Sequence, residues 1–464
     1  PNPSTCNDLW RMVWQVECAT IVMTTQLVEH GKVKCHKYWP DINDGATVYG
    51  NIQIQNIKED KYADCVLRRF QVREVGGEVR REVKQFNFLL WPDMGVPKYP
   101  SQVLSFLRRV NAHNPPNAGP IVAHCSAGIG RTGTFITLDA MLKMAKEEGT
   151  IDIFKYVMSA RRNRMNFVQT FNQYEFIYTA LLEATLVGNT EIPSTEYRSV
   201  LKNLKCPDEY GQKVKLVKEF DNLNRFCIAP TDIECKAGLD PRNQLKNRYP
   251  DIVPIDMQIP RLITPLNEDD SSNYINASFF TAYTRNDALI VTQMPLHNTI
   301  TDFWRLIYDW KSNTIVMLND MDKDLVTGKY WSDGKAVEHG PFTVKLISIQ
   351  LYDEIIERKF ELINKRKMNN ESHRLITQYQ ITDWSPEDVP RSKTVMMRLV
   401  TMIEKYQQSG DGPITVHCRN GIGRSGVFCA VVAVLERIKV EQMVDVFQAV
   451  KALRINRPGM IETV

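Results

Sequence analysis

The chain has no apolar run long enough to cross a membrane. Its longest uncharged apolar stretch, Val427–Leu435, is nine residues, where a spanning helix needs about 20. It also lacks an excess of one charge sign. Lys+Arg 58 against Asp+Glu 54 leaves +4, too little to point to nucleic acid or an anionic membrane surface as the partner. Cysteine is sparse, ten in 464 residues, with no CxxC and no Cys/His spacing of a zinc site. That excludes a disulfide scaffold and predicts a reducing setting. No signal-peptide pattern is read at its start, and Pro1 in place of Met leads to the expectation of a piece of a longer protein. With 43% hydrophobic and 24% charged residues, the composition is that of an ordinary globular protein of two to four domains.

What the sequence does contain, it contains twice. His124-Cys125-Ser126-Ala127-Gly128-Ile129-Gly130-Arg131-Thr132-Gly133 is echoed by His417-Cys418-Arg419-Asn420-Gly421-Ile422-Gly423-Arg424-Ser425-Gly426, at an offset of 418 − 125 = 293. Trp91 with Trp384 and Arg164 with Arg457 keep that offset, and Trp10 with Trp304 differs from it by one. A register shared across so many positions predicts two copies of one domain, at 1–187 and 200–464. The connection, 188–199, carries Gly188, Asn189, Thr190 and Pro193 as turn signals. In this register Lys246–Gln293 maps before Pro1 and Val464 maps near Thr170. The first copy is thus expected to lack its leading part, and the second to lack the match of Asn172–Leu186.

Around the first motif, Pro120–Ala123 reads as a short buried strand. Phe135, Ile136, Leu138, Met141 and Leu142 then recur at helical spacing, with Gly149 as the stop. Pro413–Val416 and Val427–Arg437 repeat the pattern. Strand, glycine-rich loop and helix predict an α/β architecture.

The loop from Cys125 to Arg131 has a chemical logic. Glycines let successive backbone N–H groups point at one centre, and the start of the following helix adds positive potential there. Arg131 supplies a planar fork matched to two phosphate oxygens. The same field favours the Cys125 thiolate, the nucleophilic form. Such a loop holds a phosphate dianion above a nucleophile and suits attack on phosphorus through a thiophosphoryl intermediate. The plainer alternative, a buried structural cysteine beside a glycine turn, leaves Arg131 and the repetition unexplained. A leaving group also needs an acid. Trp91-Pro92-Asp93-Met94-Gly95-Val96-Pro97 places Asp93 on a loop with the make-up of a hinged flap, although Asp in such a loop is commonly a turn former.

Together these segments resemble the protein tyrosine phosphatase family. HCSAGIGRTG is similar to its active-site loop and WPDMGVP to its mobile acid loop. Phe167-Val168-Gln169-Thr170 with Gln173-Tyr174 is similar to its glutamine loop, and Lys34-Cys35 ahead of Tyr38-Trp39-Pro40 to a supporting loop, which makes Asp41 a decoy. The resemblance implies two tandem Cys-based domains, each a twisted mixed sheet flanked by helices. It also implies the cytoplasmic part of a single-pass receptor at the plasma membrane, with the membrane segment outside this chain. Ser272–Asn276 and Val444–Gln448 are most similar to the mu/kappa-like receptor group.

The family implies roles for the matching positions. Cys125 is the nucleophile and Arg131 the phosphate clamp, while Ser126, Ala127, Gly128, Ile129 and Gly130 line the phosphate. Thr132 donates to the sulfur, His124 supports the thiolate from behind, and Asp93 serves as acid and then base. Gln169, with Gln173, positions water, and Glu29 orients Arg131. No cofactor or metal is implied. The implied partners are phosphotyrosine proteins, with intramolecular or dimer contacts through the second domain. Low-pKa thiols are prone to oxidation, which makes Cys125 and Cys418 candidates for it.

The second copy departs from this pattern. It keeps Cys418 and Arg424 and so retains the means to bind an oxyanion, but Pro386 stands at the acid position, with Glu387 and Asp388 beside it. Glu462 replaces Gln169, and Arg419-Asn420 replace Ser126-Ala127. Lys246-Asn247-Arg248-Tyr249 resembles the family's phosphotyrosine-recognition loop, in which Tyr249 forms the aromatic wall. The expectation is a catalytic first domain and an impaired, regulatory or binding second one. The alternative is a non-catalytic phosphotyrosine-binding scaffold. The isolated chain is expected not to fold independently, because a domain without its leading part leaves sheet neighbours unpaired.

Overall fold

The computed structural model describes residues 1–463 apart from 93–94, 98, 209–210, 212, 228, 267–271, 322–327, 367–372, 383, 386–388, 391 and 408–411. The chain divides into two units, Pro1–Asn189 and Thr190–Val464.

The first unit opens with helix α1 (Cys6–Gln15), strand β1 (Thr20–Met23) and a small hairpin of β2 (Val28–Glu29) and β3 (Lys32–Val33). Strands β4 (Ala46–Tyr49), β5 (Ile52–Lys61), β6 (Cys65–Glu74) and β7 (Arg80–Phe88) follow, then helix α2 (Pro100–His113), strand β8 (Val122–His124) and helices α3 (Gly130–Glu148), α4 (Ile153–Asn163) and α5 (Phe171–Val187). The sheet order is β4-β5-β6-β7-β1-β8. The β4–β7 part is an antiparallel meander, and β1 runs parallel to both β7 and β8.

Alternation along the strands builds a core on each face of this sheet. In β1, Val22 joins Phe86, Phe88, Phe106, Phe135 and Leu138 on one face. Ile21 and Met23 join Trp10, Tyr38, Ile54, Phe70 and Val83 on the other. Helix α3 ends at Gly149, whose φ of +69° closes the last turn in the left-handed region. Helix α5 starts with a capping box between Thr170 and Gln173.

The second unit begins with β9 (Ile192–Pro193) and helices α6 (Tyr197–Leu204), α7 (Lys215–Phe226) and α8 (Lys236–Leu239). It continues through β10 (Ala277–Phe280), β11 (Leu289–Gln293), α9 (Ile300–Asp309), β12 (Thr314–Met317), β13 (Val337–His339), β14 (Phe342–Tyr352), β15 (Ile355–Asn364) and β16 (His373–Ile381). Helix α10 (Lys393–Gln407), β17 (Ile414–Cys418), α11 (Gly423–Glu441), β18 (Met443–Val444) and α12 (Val446–Asn456) complete it. Its sheet order, β10-β11-β17-β12-β16-β15-β14-β13, contains the first unit's order with β10 and β11 added beside β17. Strand β8 therefore lies at a sheet edge, half-buried, whereas β17 is fully buried between β11 and β12.

Two local expectations change. The first motif strand starts at Val122, two residues later than the apolar run suggests, because Pro120 brings no N–H to the ladder. The stretch 188–199 is less of a free connection than its turn residues imply. Ile192–Pro193 pairs with Met443–Val444, Glu191 accepts from Arg437 Nη2 at 2.6 Å, the Thr190 hydroxyl donates to Asp445 at 2.9 Å, and α6 starts at Tyr197. These partners lie about 250 residues away, beyond the reach of local turn signals.

Candidate active site

The backbone turns from β8 into α3 through Cys125–Ile129, with Gly128 at φ +70°. A side chain would strain that conformation. The turn aims N–H groups back at the sulfur: Gly128 N–H donates to Cys125 Sγ at 3.3 Å. Burial alone pushes the thiol pKa up. The Thr132 hydroxyl and the N–H groups of Thr132, Gly128 and Ile129 outweigh it, so Cys125 lies below the ordinary thiol value and its thiolate is favoured. The Thr132 hydroxyl is buried and has no other partner among the described residues.

Arg131 sits one residue into α3. Its Nη1 donates to the Thr24 carbonyl at 3.1 Å and to Glu29 Oε1 at 2.7 Å, and its Nη2 donates to Glu29 Oε2 at 2.8 Å. This bidentate pair fixes the plane of the guanidinium. Glu29 comes from the β2 hairpin and is itself held by the Thr25 hydroxyl and the Gln26 N–H, each at 3.0 Å. Burial raises its pKa, but Arg131 and the Gln26 N–H more than compensate, keeping it below the usual carboxylate range. The expectation for Glu29 thus takes concrete form as a buried anchor.

His124 bonds away from the sulfur. Its Nδ1 lies 3.1 Å from the Cys125 carbonyl and its Nε2 lies 2.8 Å from the Tyr38 hydroxyl, which also accepts from Gln85 Nε2 at 2.6 Å. A carbonyl only accepts, so Nδ1 carries the proton and Nε2 accepts from Tyr38. Desolvation lowers the His124 pKa to about 4, so the ring is neutral at pH 7. It therefore supports Cys125 through the backbone rather than as a cation beside the thiolate.

Gln169 and Gln173 lean over the loop. Gln173 Oε1 accepts from the N–H groups of Gln169 (2.9 Å) and Thr170 (3.3 Å). A β-carbon placed on Gly130 would stand 2.9 Å from Gln173 Nε2 and 3.2 Å from Gln169 Oε1. Just before Gln169, Val168 is held at φ +58°, strained for a β-branched residue. Its N–H bonds the Ile129 carbonyl, and Arg161 grips the carbonyls of Phe167 and Val168 at 2.9 and 2.7 Å. Asp93 lies outside the described residues. Of its loop, Trp91 is buried, with its indole N–H on the Gly95 carbonyl at 3.3 Å. A cleft of about 300 Å³ separates Trp91 and Pro92 from Glu29 and His30.

Sequence reasoning missed Arg164. Its Nε donates to the Gly128 carbonyl at 2.7 Å and its Nη2 to the Ala127 carbonyl at 2.9 Å, turning those carbonyls outward so that the loop amides face in. The signal was present in the offset it shares with Arg457. Tyr38 was missed in the same way, passed over as part of a supporting loop. Ser126 and Ala127 are exposed at the mouth, while Gly130 is buried beneath the glutamines.

The second unit repeats the frame with a different filling. Arg424 Nη1 donates to the Leu318 carbonyl at 3.0 Å, the counterpart of the Arg131–Thr24 bond. His417 Nε2 meets the Tyr330 hydroxyl at 2.9 Å, and Arg457 Nε holds the Gly421 carbonyl at 2.9 Å. Inside the loop, however, Asn420 Oδ1 accepts from the N–H groups of Ile422 (3.1 Å) and Gly423 (3.3 Å) and from the Cys418 thiol (3.4 Å). Glu462 stands 3.9 Å from where a β-carbon on Gly423 would lie. Pro386, Glu387 and Asp388 lie outside the described residues. Lys246 pairs with Asp302 at 2.8 Å, and Arg248 binds the carbonyls of Met294 and Pro295, so both cations are tied into the fold. The Arg248 N–H bonds Gln293, the register partner of Cys418, which brings the segment ending in half-buried Tyr249 to the same end of the sheet. Among the described residues no His, Cys, Asp and Glu side chains are grouped to hold a metal ion, and no helix is long and apolar enough to cross a membrane.

Comparison with known proteins agrees with this geometry. The sequence model of the protein-tyrosine phosphatase family matches residues 1–183 and 243–464. The whole chain is 43% identical to chicken receptor-type tyrosine-protein phosphatase U over 468 residues, covering 32% of that protein. It is 40% identical to human receptor-type tyrosine-protein phosphatases epsilon and alpha, covering 67% and 58% of them. The chain thus spans between about a third and two thirds of these relatives. With two matches in series and a nucleophile loop in each, it belongs to the protein-tyrosine phosphatase family, in the tandem arrangement.

Proposed function

We propose that the first unit hydrolyses phosphotyrosine in proteins through a cysteinyl-phosphate intermediate, and that the second unit regulates rather than turns over. The Cys125 thiolate attacks phosphorus while the phosphate oxygens lie against the loop N–H groups and Arg131. The tyrosyl oxygen departs with a proton from Asp93. Water held by Gln169 and Gln173 then attacks the phosphocysteine, Asp93 takes its proton, and the sulfur leaves as a thiolate stabilised by Thr132. Neutral His124 and Arg164 keep the loop backbone in shape throughout. The reading extends to the cytoplasmic face of a plasma-membrane receptor, as the names of the relatives suggest.

The observation that carries this reading is the Cys125 sulfur, with its pKa lowered by converging N–H groups, beside an arginine whose plane Glu29 fixes. Steady-state hydrolysis of a phosphotyrosine peptide by a protein carrying both units tests it, with the phosphoserine peptide as control. Turnover of phosphotyrosine alone, abolished by Cys125→Ser with peptide binding kept, is expected. Undiminished turnover in Cys125→Ser would assign the chemistry elsewhere.

A further inference from the structure

The two loops keep one backbone shape. Arg164 holds the carbonyls of Ala127 and Gly128, and Arg457 holds those of Asn420 and Gly421, at 3.5 and 2.9 Å. Arg457 is fully buried and anchored on Asn276 at 2.7 Å. What differs is the side chain one step before the turn glycine. Ala127 is a methyl group that reaches nothing in the loop centre, and the N–H of Ile129 contributes to lowering the Cys125 pKa. At the matching place Asn420 folds inward, and its amide oxygen takes the N–H of Ile422, the counterpart of Ile129.

That oxygen occupies N–H groups that an oxyanion in the loop would call on. It collects two N–H donors at the start of α11 and the Cys418 thiol. An amide nitrogen cannot accept a hydrogen bond, so two converging N–H groups identify the atom as the carbonyl oxygen. Helix N-termini leave N–H groups in need of an acceptor. An internal oxygen meets that need without ligand, and an incoming oxyanion must displace it.

We propose that Asn420 is a built-in occupant of the second unit's phosphate seat: the seat is shaped for a tetrahedral oxyanion of the phosphate class and is closed to it until Asn420 swings out. This rests on reading both loops as oxyanion cradles. It makes the second unit a closed site that opens by one side-chain rotation, in place of a standing phosphotyrosine binder. It also replaces the expectation that retaining Cys418 and Arg424 suffices for oxyanion binding.

The test is the alkylation rate of each cysteine in the full chain by iodoacetamide, with and without tungstate, resolved by peptide mass mapping. In the unsubstituted chain tungstate should slow alkylation of Cys125 and leave that of Cys418 unchanged. In Asn420→Ala, and in Arg419→Ser/Asn420→Ala, which restores the first unit's Ser-Ala pair, tungstate should slow alkylation of Cys418 roughly tenfold, in line with two vacated hydrogen bonds. Asn420→Asp, whose carboxylate keeps the same donors, should gain no protection. Protection of Cys418 in the unsubstituted chain overturns the proposal. So does its absence in both opened variants when their unfolding midpoints match that of the parent chain. Lack of protection at Cys125 in the same digest overturns the cradle reading of the first loop instead, so the two failures are told apart.

Discussion

The nucleophile loops of the two units are set differently into nearly the same frame. Strand β8 lies at a sheet edge and leads to a loop whose amides lower the Cys125 pKa. Strand β17 is fully buried between two neighbours and leads to a loop whose amides are spent on Asn420. Strand β17 has β11 as an added neighbour, and the matching segment of the first unit would fall before Pro1. On the proposed reading, catalytic competence follows from what points into the loop centre, and a motif of cysteine, glycines and arginine is compatible with either outcome.

Substitutions that move the first unit toward the second sharpen this contrast. Arg131→Lys replaces a fork held at both ends by Glu29 with a point charge that cannot match two oxygens. kcat/KM for a phosphotyrosine peptide should fall roughly 10²–10³-fold, and a loss under tenfold would show that the clamp is not bidentate. Ala127→Asn imports the second unit's side chain. If it folds inward as Asn420 does, kcat/KM should drop roughly 10–100-fold, the worth of two hydrogen bonds that phosphate must displace. An unchanged value would mean that position 127 does not govern access. Gly130→Ala drives a methyl to within 2.9 Å of Gln173 Nε2 and 3.2 Å of Gln169 Oε1. It should lower kcat roughly 2–10-fold by displacing the water-holding amides. Among the described residues Gly423→Ala meets nothing closer than Glu462 at 3.9 Å and should leave the unfolding midpoint unchanged or raised. Equal effects of the two alanines would erase this difference between the units.

Local chemistry made much of this legible in the sequence. Gly128 and Gly130 between Cys125 and Arg131 announce a phosphate loop, and the periodic apolar residues after it announce α3, because both depend on neighbours a few positions away. The offset of 293 exposed the tandem plan. Long-range packing was harder to read. Tyr38 meets His124 across 86 positions, and its hydroxyl also accepts from Gln85 on β7. Arg164 acts on carbonyls 36 and 37 positions earlier. The pairing of Ile192–Pro193 with Met443–Val444 has no local signature. Asn420 was readable as bulkier than alanine, but its inward direction depends on the left-handed turn at Gly421, φ +72°, and on the two N–H groups beyond it.

The most direct test is to catch the intermediate. A protein carrying both units is acid-quenched during turnover of a phosphotyrosine peptide, and its cysteine peptides are mapped by mass. Phosphate should be found on the peptide of Cys125 and not on that of Cys418. Phosphate on Cys418, or steady turnover with neither cysteine labelled, would contradict the account.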